Sequence, residues 1–334
     1  MSPPSVNYWD HDEQVEHLVR NELFPKDSPA RTGESAGFQP ERREVMHHNR
    51  YDNSPIIKRP QLKWPDNARL AVWIIPNIEW HEFDGPGVGL NPPPGHFPDV
   101  LNYGWRDYSL RVGVWRFMEL LDKYRLRATV ALNARVCEHC PEIIEEGKKR
   151  NWEFMGHGLA NSELLAGLPD SEERRIIKET IDIITRSVGT PPRGWLGPAL
   201  AETLNTPDIL AAHGITYLCD WCNDDQPYPL TVKAGKLISI PYSIEINDIP
   251  FFVGKGMTGD DFRQAIQDQF DVLYQEGQHT GKVMAIALHP FLTSVPHRHK
   301  YLDMAFSYIT RHKNVWFTTG GEIAQWYYQN YYSK

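Results

Sequence analysis

Cysteine is scarce in this chain, with four in 334 residues. That is too few for a disulfide framework and fits a reducing, cytoplasmic setting. Long hydrophobic runs are missing as well. No stretch reaches the ~18–20 apolar residues that a membrane-spanning helix needs, so no membrane partner is expected. The opening residues, MSPPSVNYWDHDEQVEHLV, have neither a basic start nor an apolar core, so no secretory signal is expected in them. Positive charge is in the minority: 35 Lys and Arg against 43 Asp and Glu, a net −8. No basic stripe stands out, which argues against nucleic acid as a partner and against a polybasic membrane anchor. Internal repeats and low-complexity tracts are also absent. What remains is an ordinary globular composition, 41% hydrophobic and 23% charged, in a chain long enough for a sizeable core.

Aromatic residues are plentiful: 11 Trp, 15 Tyr and 13 Phe, types that fill cores, line pockets and build interfaces. The chain divides unequally. Residues 1–65 are polar and Pro-scattered, with one short amphipathic stretch, HDEQVEHLVRNELF. They read as an N-terminal arm wrapping the main domain or a neighbouring subunit, or else as a loose tail. Residues 66–334 read as one domain. RLAVWIIPNIEW, from residue 69, has the near-continuous apolar run of a strand buried on both faces. A Gly- and Pro-rich stretch from His81 to Tyr108 reads as one long loop, and such loops are usually functional. Beyond it, strands (ATVALNA, WEFMGHG, RGWLGPA, ITYLCDW, LISIPYS, VMAIALHP, VWFTTG) alternate with amphipathic helices such as SEERRIIKETIDIITRSVG. Alternation of this kind predicts an α/β fold on a parallel sheet, and about seven units predict a closed (β/α) barrel-like form.

Polar residues cluster where the predicted strands end, the usual place for an active site in such barrels. Asn77, Glu79 and His81 close the first strand. His157 and Asn161 follow WEFMG, Asp220 and Trp221 end ITYLCDW, and His289 ends VMAIALH. From this set, one carboxylate, two imidazoles and an amide gathered at one barrel mouth can bind a divalent cation through N and O ligands. The same set can move protons unaided. Each residue also has a plainer reading. Glu79 could pair with a core Arg, Asn161 could cap a helix over SELLAGL, and His289 could bond backbone. Asn223, Asp224 and Asp225 could form a solvated turn.

IPNIEW, YSLRVGVWR, LRATVALNARVCEHCPEIIEEG, WEFMGHGLANSE, PPRGWLGPAL, GITYLCDW, IPYSIEINDIPFF, MAIALHP and VWFTTGGEIAQW occur in that order. This series resembles the polysaccharide-deacetylase (NodB-homology, carbohydrate esterase family 4) superfamily. It is most similar to the branch with cofactor-independent allantoinases and a peptidoglycan-deacetylase-like amidohydrolase. The resemblance implies a distorted (β/α)7 barrel, hydrolysis of a non-peptide C–N bond, and a homo-oligomer, with a tetramer among the options. It implies Glu79 as base or metal ligand, His157 and Asn161 in the place of a His-x-x-x-His ligand pair, and His289 as general acid. It implies Arg111 as a holder of a substrate carbonyl or carboxylate, with Asn77, Asp220 and Trp221 as further substrate contacts. The chain departs from the family pattern at Asn77, where a catalytic Asp is usual, at Asn161, and at Leu196, where an Arg is usual. Those departures point to small linear or cyclic amides, ureides or imides as substrate. They leave two chemistries open, a divalent metal (zinc foremost) on Glu79, His157 and Asn161, or a metal-free mechanism. An N-acetyl-sugar deacetylase and a catalytically inactive ligand-binding barrel are the competing readings. Cys137-x-x-Cys140 and Cys219-x-x-Cys222 suggest a structural zinc site, but zinc ribbons space such pairs ~15–20 residues apart, and here they sit on different βα units.

Overall fold

Nine consecutive buried residues, Leu70–Ile78, form the strand on which the sheet is organised. In the computed structural model the described residues are 48–83 and 98–332. Most of the predicted arm therefore lies outside the described residues. The strands in chain order are β1 (Leu70–Ile78), β2 (Thr129–Leu132), β3 (Glu153–Gly156), β4 (Gly194–Trp195), β5 (Tyr217–Leu218), β6 (Tyr228–Leu230), β7 (Leu237–Ser239), β8 (Lys282–Leu288) and β9 (Val315–Thr318). Their order across the sheet is β6-β7-β5-β4-β3-β2-β1-β8, with β9 also beside β1. Every pairing is parallel except β6 with β7. β1 pairs with β8 from Leu70↔Lys282 to Pro76↔Leu288. On its other side it pairs first with β9, up to Trp73↔Thr318, and later with β2, from Asn77↔Ala131. Pro76 falls in the gap between those two partners, where its missing N–H costs no ladder bond on that side.

The predicted α/β barrel is present in the distorted (β/α)7 form, but its strand ladder does not close. Between the β6–β7 hairpin and β8 the seam is filled by irregular chain. Val283 N donates to Asp225 O at 2.9 Å and Ala287 N to Ile246 O at 3.0 Å, and Asn247 bridges to Ala287. Residues from the segment read as the arm join this seam. Trp64 is buried and its indole N–H donates to Lys282 O at 2.8 Å, while Arg59 forks onto Asp224 at 2.8 and 2.5 Å. Among the described residues no helix is long and apolar enough to cross a membrane.

The two-residue period of the strands sorts the core into two layers. Leu70, Val72 and Ile74 of β1 pack outward with Met284, Ile286 and Leu288 of β8 against the helices. Ala71, Trp73 and Ile75 point into the barrel with Val283, Ala285 and Ala287, joined by Met155, Tyr217 and Cys219. Large side chains fill the inner layer, with Trp73 against Tyr217 at 6.4 Å between ring centroids.

The stretch from His81 to Tyr108 is not one loop. Helix Val100–Tyr108 follows Asp99, whose carboxylate caps it by accepting from Asn102 N at 3.0 Å. Its sequence disguises it, because its buried residues are polar, Asn102 and Arg106, while Val100 and Leu101 are exposed. A π-helical turn, Ser109–Gly113, and helix Val114–Tyr124 continue it. Residues 84–97 lie outside the described residues.

Candidate active site

The inward parity of β1 includes Asn77 and carries past the strand's end to Glu79, and that of β8 carries to His289. With His157 after β3, these side chains line one cavity of about 360 Å³ at the C-terminal ends of the strands. Asn161, Leu196, Tyr242, Asn247 and Arg106 line it too, and Leu164 and Ile244 stand half-exposed at its edge.

Glu79 is its centre. Its Oε1 lies 3.6 Å from His157 Nε2 and 3.4 Å from His289 Nε2, and its Oε2 lies 3.2 Å from His81 Nε2. Burial alone would raise the carboxyl. The positive charge of His289 and the bonds from His157, His289 and His81 overcome that and hold it well below the ordinary value. His289 is clamped from behind. Its Nδ1 lies 2.6 Å from Asp248 Oδ1, and its backbone N–H donates to Asp248 Oδ2 at 2.6 Å. Burial works against its charge, yet Asp248 and Glu79 together push its pKa up to about 10. At neutral pH His289 is therefore an imidazolium between two carboxyl groups. His157 is fixed differently. Its Nδ1 donates to Leu196 O at 2.7 Å, which fixes the ring and aims Nε2 into the cavity toward Glu79. Asn133 braces both loops, accepting from Trp80 N at 2.9 Å and donating to His157 O.

Asn77 lies in the cavity wall, its amide donating to Tyr242 OH and Leu288 O at 3.3 Å each. Three other residues singled out from sequence lie elsewhere. Arg111 has a side chain 77% exposed, 3.8 Å from Asp107, and does not line the cavity. Asp220 has the opposite strand parity to Cys219 and sits behind the wall, accepting from Gly197 N at 2.7 Å. Trp221 packs edge-on against Tyr51, with ring centroids 5.4 Å apart. Among the described residues, Asn223, Asp224 and Asp225 line a separate, larger cleft of about 1040 Å³ whose lining has no imidazole and shares only Tyr242 and Ile244 with the cavity around Glu79. No helix follows Asn161, so it caps none. All four cysteines are free thiols.

Arg106 and Asp248 were not among the sequence candidates, and His81 was noted only as closing the first strand, with no role. Arg106 is 5% exposed, and burial lowers its pKa against the opposing pull of Glu79 and Asp99. The polar pair Asn102/Arg106, four residues apart, was its one sequence signal.

Glu79, His157 and Asn161 do face one cavity, and the buried Asn161 Oδ1 has no hydrogen-bond partner among the described residues. They offer one carboxylate, one imidazole and one neutral amide, and both carboxylate oxygens already have imidazole neighbours. Among the described residues no group of three or more His, Cys, Asp or Glu side chains could hold a metal ion. Arg106 and the charged His289 further oppose a dication there, so this donor set does not fit a tightly held metal.

Residues 102–218 match a family described as polysaccharide deacetylase. A Schizosaccharomyces pombe protein described as a polysaccharide deacetylase is 30% identical over 306 residues, 81% of this chain and 93% of its own. A Helicobacter pylori peptidoglycan deacetylase is 24% identical over 259 residues, 68% of this chain and 87% of its own. Among solved structures, that of Puue allantoinase is similar with a TM-score of 0.74 and 28% identity, covering 82% of this chain and 95% of that one.

Proposed function

This chain belongs to the polysaccharide deacetylase family and hydrolyses carbon–nitrogen bonds outside peptides, and on that premise we propose that it opens a small amide, ureide or imide through Glu79, His157 and His289 without a metal. The observation that carries this reading is the cavity itself. Its volume of about 360 Å³ suits a small molecule, and its polar groups converge on a single carboxylate.

The proposed chemistry follows from which groups hold protons. Glu79, ionised, takes a proton from the attacking water. Arg106 and the His289 imidazolium stabilise negative charge developing on the carbonyl oxygen. His289 then gives its proton to the leaving nitrogen, and the proton on Glu79 returns to His289 across the 3.4 Å gap. His157, its ring fixed by Leu196 O, orients the water through Nε2. Asp248 keeps His289 oriented throughout and favours its return to the charged form. One water is consumed, and an acid and an amine leave.

A second reading, removal of acetyl groups from an N-acetylated sugar polymer, is favoured by the names of the two curated relatives and by the larger cleft adjoining the cavity at Tyr242 and Ile244. The deciding experiment incubates chelator-treated protein with allantoin, other ureides and cyclic imides, and in parallel with N-acetylated chitooligosaccharides. Ring opening followed by mass spectrometry, absent in Glu79→Gln, supports the lead reading. Acetate release alone supports the second. Ligand-induced thermal stabilisation with no turnover of either class would mean a binding protein and sink both.

A further inference from the structure

Beside the catalytic cavity the chain is bent into an uncomfortable shape. Ala199 and Leu200, both in the cavity wall, have φ of 56° and 55°. Two successive residues carrying Cβ atoms hold the left-handed region only when their surroundings force it. Leu200 N donates back to Gly197 O at 2.8 Å and Ala201 N to Pro198 O at 3.1 Å, which makes the turn tight but does not anchor it to the barrel. The anchor is Asp220, whose Oδ1 accepts from Gly197 N at 2.7 Å at the start of the turn. At its end stands Glu202, within hydrogen-bond reach of the same Asp220 carboxyl.

We propose that Asp220 and Glu202 share one proton in a carboxylic acid–carboxylate hydrogen bond, and that this bond latches the strained wall 197–202 in place beside the cavity. Asp220 Oδ2 and Glu202 Oε1 are both buried and have no hydrogen-bond partner among the described residues. Two ionised carboxylates facing each other in a dry place repel, whereas one proton between them makes a strong, charge-assisted bond. Arg50 is the cation near Glu202, but it is committed to Asp208 at 3.0 Å and to the Leu204 carbonyl. Glu173, also near Glu202, accepts from Thr203 and Thr206. Near Asp220 stand the thiols of Cys219 and Cys222, both pushed upward by burial and therefore neutral. The indole of Trp221, close to Glu202, works the other way and favours its ionised form. Burial raises both carboxyl groups above the usual range, and the charge of Glu202 adds to the effect at Asp220. The two titrate as a pair. Asp220 and Glu202 are thus positioning residues for the wall. The inference rests on the wall alone and holds whatever the substrate is.

Its test needs no substrate. Infrared difference spectra of the full chain at neutral pH should show the carbonyl stretch of a protonated carboxylic acid that vanishes in both Glu202→Gln and Asp220→Asn. The pair's pKa is raised on folding, so its contribution is present at low pH and lost as pH rises through the raised value. The melting temperature of the wild type should fall on the alkaline side by a component absent from Glu202→Gln, whose amide donates permanently. Backbone hydrogen exchange in 197–202, compared at one pH, should stay near wild type in Glu202→Gln and speed up about tenfold in Glu202→Ala. Absence of the carboxylic acid band, or an alkaline profile of Glu202→Gln matching the wild type, would overturn the shared proton. Unchanged exchange in a folded Glu202→Ala would overturn the latch. Stabilisation by calcium or manganese that Glu202→Gln abolishes would mean a cation bridges the pair instead, and would overturn the proposal too.

Discussion

At the scale of single residues, the site is a chain of alternating charge: Asp248, His289 and Glu79. Glu79 is held well below the ordinary carboxylate range and His289 is pushed up to about 10. A free-enzyme kcat/KM profile should therefore be flat across neutrality and lose activity as pH rises through about 10, when His289 gives up its proton. Asp248→Asn should pull that alkaline limb down toward the ordinary histidine value of ~6.5. An unmoved limb would mean Asp248 does not sustain the charge. The same shifts carry stability. The Glu79 contribution is present above ~4.3 and lost as pH falls through its lowered pKa, and the His289 contribution is present below ~6.5 and lost as pH rises through its raised one. Removing Asp248 leaves a buried imidazolium short of a partner, so Asp248→Asn should also cost roughly 3–5 kcal/mol in urea denaturation at neutral pH. The two arginines make a contrast. Arg106→Gln should lower kcat by about 10²–10³-fold. Arg111→Gln, at an exposed position, should change stability by less than ~0.5 kcal/mol and leave turnover intact. The reverse pattern in steady-state kinetics would return Arg111 to the site.

At the scale of elements, what matters is how helices are pressed against strand ends. The π-helical turn Ser109–Gly113 packs where His289 leads into helix Pro290–Thr293. A Cβ on Gly113 would lie 2.6 Å from Pro290 O, so the backbone beside His289 would have to move. Gly113→Ala should cost about 1–3 kcal/mol by overpacking and reduce turnover more than a surface change of equal stability cost would. Equal losses in both would mean the contact is only structural. Helix Val100–Tyr108 shows why an element can be missed. Its inner face carries Asn102, bonded to Asp99, and Arg106, which lines the cavity, so the apolar periodicity that reveals most helices runs backwards. Helix Asp170–Val188, with Ile176, Ile177, Ile181, Ile183 and Ile184 buried on a packed sheet, was plain from sequence for the opposite reason.

At the scale of the whole molecule, the barrel is closed by segments that belong to no strand. Trp64, more than 200 residues from Lys282 in sequence, fills the seam and caps the β8 edge. Trp64→Ala should cost about 3–5 kcal/mol in denaturant unfolding, with no change in the pH dependence of turnover. A loss near zero would mean the seam holds without residues 49–65. Metal removal belongs to this scale too. Because the donor set around Glu79 is weak and bordered by positive groups, prolonged chelation followed by elemental analysis should leave turnover unchanged, and zinc-dependent restoration of activity would sink the metal-free mechanism.

The amino-acid sequence by itself determined the class of fold and most of the site. Strand and helix periodicities are local, so β1, β8 and the long amphipathic helices were legible, and strand parity already placed Asn77 and Glu79 on the face of Ala71, Trp73 and Ile75. Ordered motifs at strand ends brought Glu79, His157 and His289 to one mouth. Tertiary structure decided the rest, because the rest depends on distance through space. Only folding sets Asp248 behind His289 across 41 residues, makes Arg106 rather than Arg111 the arginine of the cavity, and turns Asp220 away from it toward Glu202. Only folding, too, leaves the barrel open at β8 and fills the gap with chain from residues 49–65. Proton affinities belong to that second group. A carboxyl group's pKa depends on burial and on which charges lie within a few ångströms, and neither is written in the order of the residues.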